Sequence, residues 1–290
     1  MIYARLMRNE VIRKKGPLVV VFAFILLSTL LVAVGAGLIV DLNAALESLF
    51  EKARVPHFVQ MHAGELDRDD LASWGAEHAL VARHHVTEMV SIDASSLSFS
   101  GSDHSNKNDV MDIGFVVQNA EFDYLLNEEN EIARVAPGEI GVPVYYAEER
   151  GVEVGDEVAV SRDDRVRRFT VSTIIRDAQM NSAVVHSKRF LIHPTDYSDL
   201  REASLDTEYL ISFRLTDPEE IDSFARDYER AGLPDRGPAV DYSLFKLMNA
   251  LSDGVVAGVV IILSLVLMTI AVLCLRFTIL ATIEEDYREI

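Results

Sequence analysis

Two long stretches without a charged residue constrain this chain more than any other feature. Pro17 to Val40 is 24 residues long and Gly254 to Leu275 is 22, and neither contains Asp, Glu, Lys or Arg. A helix needs roughly 20 apolar residues, at about 1.5 Å each, to cross roughly 30 Å of hydrocarbon. The sequence therefore predicts transmembrane helices at 17–40 and 254–275.

The first apolar stretch is too long for a signal peptide, whose apolar core has roughly 7–15 residues. It is followed by the sequence DLNAAL, residues 41–46, which continues a helical pattern and offers no clean cleavage site. We therefore interpret residues 17–40 as an uncleaved anchor.

The charges that flank the two stretches predict an orientation. Residues 1–16 carry five basic side chains and one acidic one, a net charge of +4. Arg276 follows the second stretch at once, and residues 276–290 carry a net charge of −2. Because basic flanks stay in the cytoplasm, both termini are predicted to be cytoplasmic. Residues 41–253 are then extracytoplasmic, and the localisation is the cell membrane.

The middle of the chain is strongly acidic. The whole chain carries −19, the first 16 residues +4 and the last 15 residues −2, so residues 41–253 carry −21. This charge argues against nucleic acid and against adhesion to anionic lipid, because both require basic patches. An acidic surface suits solubility and could also attract cationic peptides or metal ions. The one cysteine, Cys274, lies in the second apolar stretch, so this domain has no disulfide and must fold on its core.

Helix and strand patterns alternate through residues 41–253 without a repeat, which predicts an α+β domain. The two terminal helical patterns, 41–54 and 243–253, continue the predicted spans. Residues 137–143 are predicted to form a bend. Further helices are predicted at 67–78, 122–126, 144–150 and 217–231, and strands at 57–61, 86–92, 97–99, 110–117, 167–175, 183–192, 209–215 and 239–241.

The stretch GVEVGDEVAV, residues 151–160, alternates acidic and valine side chains around a Gly155-Asp156 turn. Gly151 is predicted to end the preceding helix. The four valines at 152, 154, 158 and 160 are predicted to point inward, and residues 162–165 to form a hairpin into the next strand. A module with one buried and one solvated face follows from this pattern.

No pattern for catalysis, a cofactor or a metal is present. His57 and His62 are five residues apart, and the adjacent His84 and His85 would point to opposite faces of a strand, so neither pair fits a helical zinc motif. The polar loop 103–112 lacks the spacing of a calcium loop. Neither a Gly-x-Ser-x-Gly elbow nor a phosphate-binding Gly-x-x-x-x-Gly-Lys stretch occurs. We expect a non-enzymatic protein without cofactor or metal.

The second apolar stretch contains a Gly-x-x-x-Gly pair, Gly254 and Gly258, a spacing that permits close helix packing. Gly35 and Gly37 lie in the first stretch. Neither stretch holds an ionisable residue, so neither helix by itself offers an ion or proton path.

The order of a basic stub, a span, an α+β domain and a returning span resembles the first part of an FtsX-like, MacB-type ABC transporter permease. Two stretches are similar to that family: VPVYYAEERGVEVGDEVAV, residues 142–160, and TIEEDYREI, residues 282–290. In the family the first stretch belongs to the periplasmic core domain. The second leads to a cytoplasmic helix that docks on the ATPase.

The resemblance implies a bacterial transport protein with mechanotransmission, in which a separate cytoplasmic ABC ATPase moves the spans and stiff helices carry the motion outward. Its implied partners are that ATPase, further permease spans or a second permease copy, and the lipid bilayer, with no nucleic acid. It implies a coupling role for Tyr287, Arg288, Glu289 and Ile290, and a core-domain motif of Gly151, Val154, Gly155, Asp156 and Val158. Because the family continues with further spans, it also implies that this chain is a fragment.

Two other classes share the two-span layout. A polysaccharide chain-length regulator is dominated by long helices and carries a proline-rich stretch near its second span. Here the outer segment favours strands, and no proline follows Pro238. The sensor half of a truncated two-span signalling protein also stays open as an alternative.

Overall fold

The computed structural model describes residues 15–100, 111–162, 165–181, 185, 187–202 and 207–288. The chain divides into two compact units, one formed by residues up to Ala44 and from Asp253 onward, the other by Ala45 to Ser252.

Two long helices dominate the first unit and extend into the second: α1 (Lys15–Ala53) and α6 (Tyr242–Arg288). Their segments 22–53 and 258–277 are long and apolar enough to cross a membrane. Two such helices flanking a folded domain fit a membrane protein. No proline interrupts either helix after Pro17, so both lack the usual cause of a kink.

Within the first unit the two helices approach closely at Gly35. A methyl group added there would lie 2.9 Å from Cγ1 of Ile261, so only glycine fits without a shift. A methyl group at Gly254 or Gly258 would meet nothing within 4 Å. Their role in packing against another helix therefore stays a prediction, and the close approach inside this chain is at Gly35.

The second unit is built on one mixed sheet. In the described residues its strand order is β10-β1-β9-β2-β4-β8-β5-β7-β6-β3. The pairs β4–β8 and β5–β7 are parallel and the other pairs antiparallel. The strands are β1 (Phe58–Ala63), β2 (Val81–Asp93), β3 (Leu97–Phe99), β4 (Asp112–Val116), β5 (Glu139–Pro143), β6 (Glu157–Arg162), β7 (Arg165–Ile175), β8 (Ser187–Ile192), β9 (Thr207–Leu215) and β10 (Ala239–Asp241).

Four shorter helices pack on this sheet, and a mixed helix-and-strand domain between two apolar helices agrees with the predicted layout. They are α2 (Arg68–Glu77), α3 (Val144–Arg150), α4 (Pro194–Glu202) and α5 (Ile221–Arg230). Single 3-10 turns occupy Ala94–Ser96 and Pro218–Glu220.

Aspartates cap the starts of α2 and of the 3-10 turn before α5, and capping is a local interaction. The side chain of Asp67 accepts hydrogen bonds from the backbone of Asp69 and Asp70, each at 3.1 Å. Asp217 caps the 3-10 turn before α5 by accepting from Glu219 N at 2.9 Å. Gly151, with φ of 65°, ends α3 as predicted.

Three segments differ from the sequence-based expectation. Residues 122–126 form a loop and not a helical turn, and Asp123 there has a left-handed φ of 58°. Residues 139–143 form strand β5 and not a bend. The glycine that suggested a bend, Gly141, is required for packing, because an added methyl group would lie 2.9 Å from Ile175. Helix α4 was not predicted. The loop predicted at 103–112 lies largely outside the described residues.

Candidate functional site

The core-domain motif forms a turn that leads into β6. Gly155 has φ of 103°, a conformation that favours glycine, and Oδ2 of Asp156 accepts a hydrogen bond from Glu153 N at 2.9 Å. Val158 is fully buried on β6. Glycine and aspartate therefore set this turn, and the valine after it belongs to the core.

Val154 does not point inward as predicted. Its side chain is 60% exposed, whereas Val152, Val158 and Val160 are buried. The alternation fails here because residues 151–156 form turns, and strand geometry begins only at Glu157. Val154 lines an open groove of about 690 Å³ together with the exposed Ile132 and acidic residues of the segment 127–134.

Two of the four residues predicted to couple to an ATPase lie at the end of α6. The backbone of Tyr287 and Arg288 continues the helix, and Glu289 and Ile290 lie outside the described residues. Their role stays a prediction.

The C-terminal end of α1 and the N-terminal end of α6 share one buried cluster in the second unit. We name this cluster the helix anchor. From α1 it contains Leu46, Leu49, Phe50 and Ala53, at helical spacing, and from α6 it contains Phe245. Two loops, residues 120–126 and 176–181, contribute further members. Their buried members are Tyr124, Leu125, Leu126, Ala178 and Met180.

The two helices join neighbouring strands of the sheet. Helix α1 leads into β1 and helix α6 follows β10, and these strands pair antiparallel with Phe58 opposite Asp241. The backbone N–H of Tyr242 donates to the carbonyl of His57 at 2.8 Å. A shift of either helix end is therefore applied directly to the β1–β10 edge of the sheet.

The helix ends also contact each other. Nζ of Lys246 lies 2.9 Å from Oε1 of Glu47, and the rings of Phe50 and Tyr242 pack edge to face with centroids 5.2 Å apart. Exposed ion pairs contribute little to stability, so the aromatic contact and the shared cluster carry most of this packing.

Helix α6 is tied to the loop 176–181 by a buried amide. Nδ2 of Asn249 donates to the carbonyl of Ala178 at 3.0 Å and to the carbonyl of Phe245 in its own helix at 2.9 Å. Asn249 is only 3% exposed. A buried amide needs these partners because an unsatisfied group costs about 1–3 kcal/mol.

A buried arginine holds the two loops of the helix anchor together. Arg189 of β8 donates from Nε and Nη2 to both carboxylate oxygens of Asp177, each at 2.6 Å. It donates from Nη1 and Nη2 to Asp123 at 2.7 and 3.1 Å. Gln179 also donates to Asp123. Bidentate pairs of this kind fix orientation as well as distance.

Arg189 and Asp177 each shift the pKa of the other against the direction that burial alone would give. Burial by itself would raise the pKa of Asp177, but the charge and hydrogen bonds of Arg189 hold that pKa below its ordinary value. Burial would likewise lower the pKa of Arg189, and the two carboxylates raise it instead. The network is therefore a permanent link between loop 120–126, loop 176–181 and the sheet.

The sequence analysis did not predict the buried charges of Arg189, Asp123 and Asp177, which link the two loops of the helix anchor. The one available signal was Lys188-Arg189 inside an otherwise apolar strand, since charged residues are seldom buried unless paired. Nothing local identifies Asp123 and Asp177 as the partners, because they lie 66 and 12 residues away along the chain.

His57 lies where β1 begins, and its ring is neutral at pH 7. Burial, reinforced by the charge of Arg214, lowers its pKa to about 4. Nδ1 accepts a hydrogen bond from Leu215 N at 3.0 Å, which requires an unprotonated nitrogen and so favours the neutral ring. In the unfolded chain the ring regains its ordinary pKa of about 6.5.

We expect the free energy of unfolding to fall as pH decreases from 6.5 to 4. In this window the unfolded chain binds a proton at His57 that the folded chain rejects, which costs at most about 3 kcal/mol. Above pH 6.5 both states are neutral and the contribution vanishes. Urea unfolding followed by the fluorescence of Trp74, the single tryptophan, measures this slope.

His57→Asn serves as the comparison, because its side-chain oxygen can accept from Leu215 N but does not titrate. The slope should become smaller without disappearing, since burial also lowers the pKa of His84 and His85. An unchanged slope in the variant would show that His57 does not control it.

No group of three or more His, Cys, Asp or Glu side chains that could hold a metal occurs within the described ranges. The histidine pairs considered above serve other roles. Both ring nitrogens of His62 bond backbone atoms, of Glu65 and Arg236. The ring of His84 stacks on Phe213 and that of His85 on Phe122.

Comparison with known proteins identifies no family. No family model and no curated protein matches the chain. Among solved structures, the chain is similar to the crystal structure of a domain of a protein named as a permease, from Porphyromonas gingivalis. The identity is 13% and the TM-score 0.32, over 60% of this chain and 84% of that chain.

Proposed function

We propose that this chain is a non-catalytic permease subunit of an FtsX-like, MacB-type ABC transporter. It relays the ATP-driven motion of a separate ATPase to an extracytoplasmic domain, for export, extraction or mechanical regulation outside the membrane. Both termini lie in the cytoplasm and the sheet domain lies outside.

The observation that carries this proposal is the helix anchor. Each long apolar helix continues as a helix until it reaches the same buried cluster, and neither contains a proline after Pro17. The ends meet at the Glu47–Lys246 and Phe50–Tyr242 contacts and connect to adjacent strands. Uninterrupted helices that end in one packed core transmit displacement, because packed cores resist continuous deformation.

Energy for this motion comes from a partner. The sequence contains no phosphate-binding stretch, so ATP hydrolysis belongs to a cytoplasmic ABC ATPase. In this proposal residues 1–16 and 276–290 face the cytoplasm, and further permease spans or a second permease copy contribute to the contact with the ATPase.

A pair of cysteines at Glu47 and Lys246 tests the relay and the orientation together. Cys274 is first replaced by serine, so that the introduced pair is unique. The chain is produced in cells together with a candidate ABC ATPase from the same genome, and a cross-linker that cannot cross membranes is added outside. We expect cross-linking in intact cells, at a rate that changes several-fold when the ATPase is trapped with ATP and vanadate.

Glu157→Cys with Thr170→Cys is the matched control, because these exposed residues are direct partners on β6 and β7. The cross-linking rate of this control pair should not change with the state of the ATPase. Reaction only in broken cells would contradict the orientation. If the cross-linking rate of the 47 and 246 cysteine pair also does not change with the state of the ATPase, the proposed relay is wrong.

A further inference from the structure

A cationic groove lies beside the end of α1 in this otherwise acidic domain. It has a volume of about 750 Å³. Four basic and two acidic side chains line it, a local net charge of +2 in a segment that carries −21 overall. The charged lining residues are Lys52, Arg54, Arg83, Arg214, Glu51 and Glu121.

The centre of the groove places two arginines opposite each other. Arg83 of β2 and Arg214 of β9 are direct partners in the sheet. A register shift between Val81 and Arg83 brings this about, because Val81 faces Leu215 and Ala82 is the extra residue. Like charges directly opposite each other destabilise a sheet. An arrangement with this cost requires an explanation other than folding.

The acidic residues of the groove pair with only some of its arginines among the described residues. Nη1 of Arg83 lies 2.5 Å from Oε2 of Glu121. Arg214 donates from Nη1 to the carbonyl of Val55 at 2.8 Å, and in the described part of the chain it pairs with no carboxylate. Burial, together with the charge of Arg54, lowers the pKa of Arg214. The half-buried Arg214 therefore lacks a counter-charge.

Arg54 reaches the groove from the C-terminal cap of α1. It follows the last residue of the helix with a left-handed φ of 49°. Its N–H donates to the carbonyl of Glu51 and that of Val55 to the carbonyl of Phe50, each at 3.1 Å, which is the pattern of a Schellman cap. Its Nη1 donates to the carbonyl of Glu121 at 3.3 Å, and its guanidinium lies 5.8 Å from the centre of the Tyr124 ring. The negative end of the α1 dipole favours Lys52, but it does not explain the paired strand arginines.

We propose that this groove binds a phosphate group, with Arg54, Arg83 and Arg214 as its ligands. Guanidinium groups converge there without equal negative charge, and arginine binds phosphate through paired N–H donors. The phosphate comes either from a free phosphorylated molecule or from the headgroup of an anionic lipid. This site is independent of the ATPase partnership proposed above.

The test uses the full chain in neutral detergent and two probes. The first is radiolabelled inorganic phosphate, measured by equilibrium dialysis against sodium chloride of equal ionic strength. The second is a short-chain phosphatidylglycerol, compared with the zwitterionic phosphatidylcholine of the same chain length. The test variant is Arg54→Gln with Arg83→Gln, which keeps the Arg214–Val55 hydrogen bond.

Arg168→Gln with Arg230→Gln is the matched control. It removes the same charge from two arginines that lie outside the groove and pair with Glu157 and Asp227. The test variant should fold with an unchanged or higher melting temperature, because a repulsion is removed.

Binding of inorganic phosphate, weakened about tenfold or more in the test variant only, identifies a free phosphate ligand. If phosphatidylglycerol binds, inorganic phosphate does not, and only the test variant loses affinity for phosphatidylglycerol, the ligand is a lipid headgroup. The proposal is wrong if neither probe binds above its reference. It is equally wrong if the control variant loses as much affinity as the test variant.

Discussion

Replacing Arg189 with methionine is expected to lower the free energy of unfolding of the sheet domain by about 3–5 kcal/mol. The change removes the only cation that contacts Asp123 and Asp177 among the described residues, and leaves two carboxylates in a site where each is at most 2% exposed. Urea unfolding of the full chain in detergent, followed by Trp74 fluorescence, measures the loss.

Two further variants sharpen this prediction. Arg168→Met removes an exposed arginine that pairs with Glu157 at 3.3 Å, and should cost less than about 1 kcal/mol. Adding Asp123→Asn and Asp177→Asn to Arg189→Met should restore part of the loss, because no buried charge then remains unpaired. Equal costs for Arg189→Met and Arg168→Met would refute a structural role for the buried network.

Replacing Phe245 with alanine is expected to cost about 3–5 kcal/mol. The side chain is 2% exposed and packs in the helix anchor with Phe50 and Leu49. Truncation leaves a cavity at the point where α6 enters the domain, so the loss combines reduced burial with an unfilled volume.

Leu247→Ala is the matched control for this prediction. Leu247 lies on the same helix but is 53% exposed, and its truncation should cost less than about 0.5 kcal/mol. The same fluorescence-detected unfolding compares the two variants. A similar effect of both changes would mean that α6 does not depend on the helix anchor for its attachment.

These two variants also separate the parts of the proposed relay. Arg189 acts on the loops and Phe245 on the helix that packs against them. If the relay is correct, each change should reduce the effect of the ATPase state on the cross-linking rate of the Glu47 and Lys246 cysteine pair. A less well packed helix anchor transmits less displacement. The Glu157 and Thr170 pair should again be unaffected.

Features that depend on neighbouring residues could be predicted from the sequence. The two apolar helices follow from uninterrupted runs, and the starts of α2 and the turn before α5 follow from Asp67 and Asp217 as caps. The end of α3 follows from Gly151, which needs a left-handed backbone. Each is settled within about one helical turn, so the local sequence contains the necessary information.

The local rules failed at Val154 and at Gly141 for different reasons. Val154 was predicted to point inward by a strand pattern that starts only at Glu157, because a turn precedes it. Gly141 indicated a bend, yet it lies in a strand because Ile175 and Leu191 approach its backbone. At Gly141, packing against residues far along the chain overrides local propensity.

The sites of interest belong to that second class. Arg189 meets Asp123 across 66 residues of sequence, and Arg214 meets Val55 across 159. The sequence around a charged residue does not indicate which distant residue it will contact, because the contact forms only when the strands have paired. The order of the strands, and with it the buried network and the cationic groove, therefore emerges from folding of the whole domain.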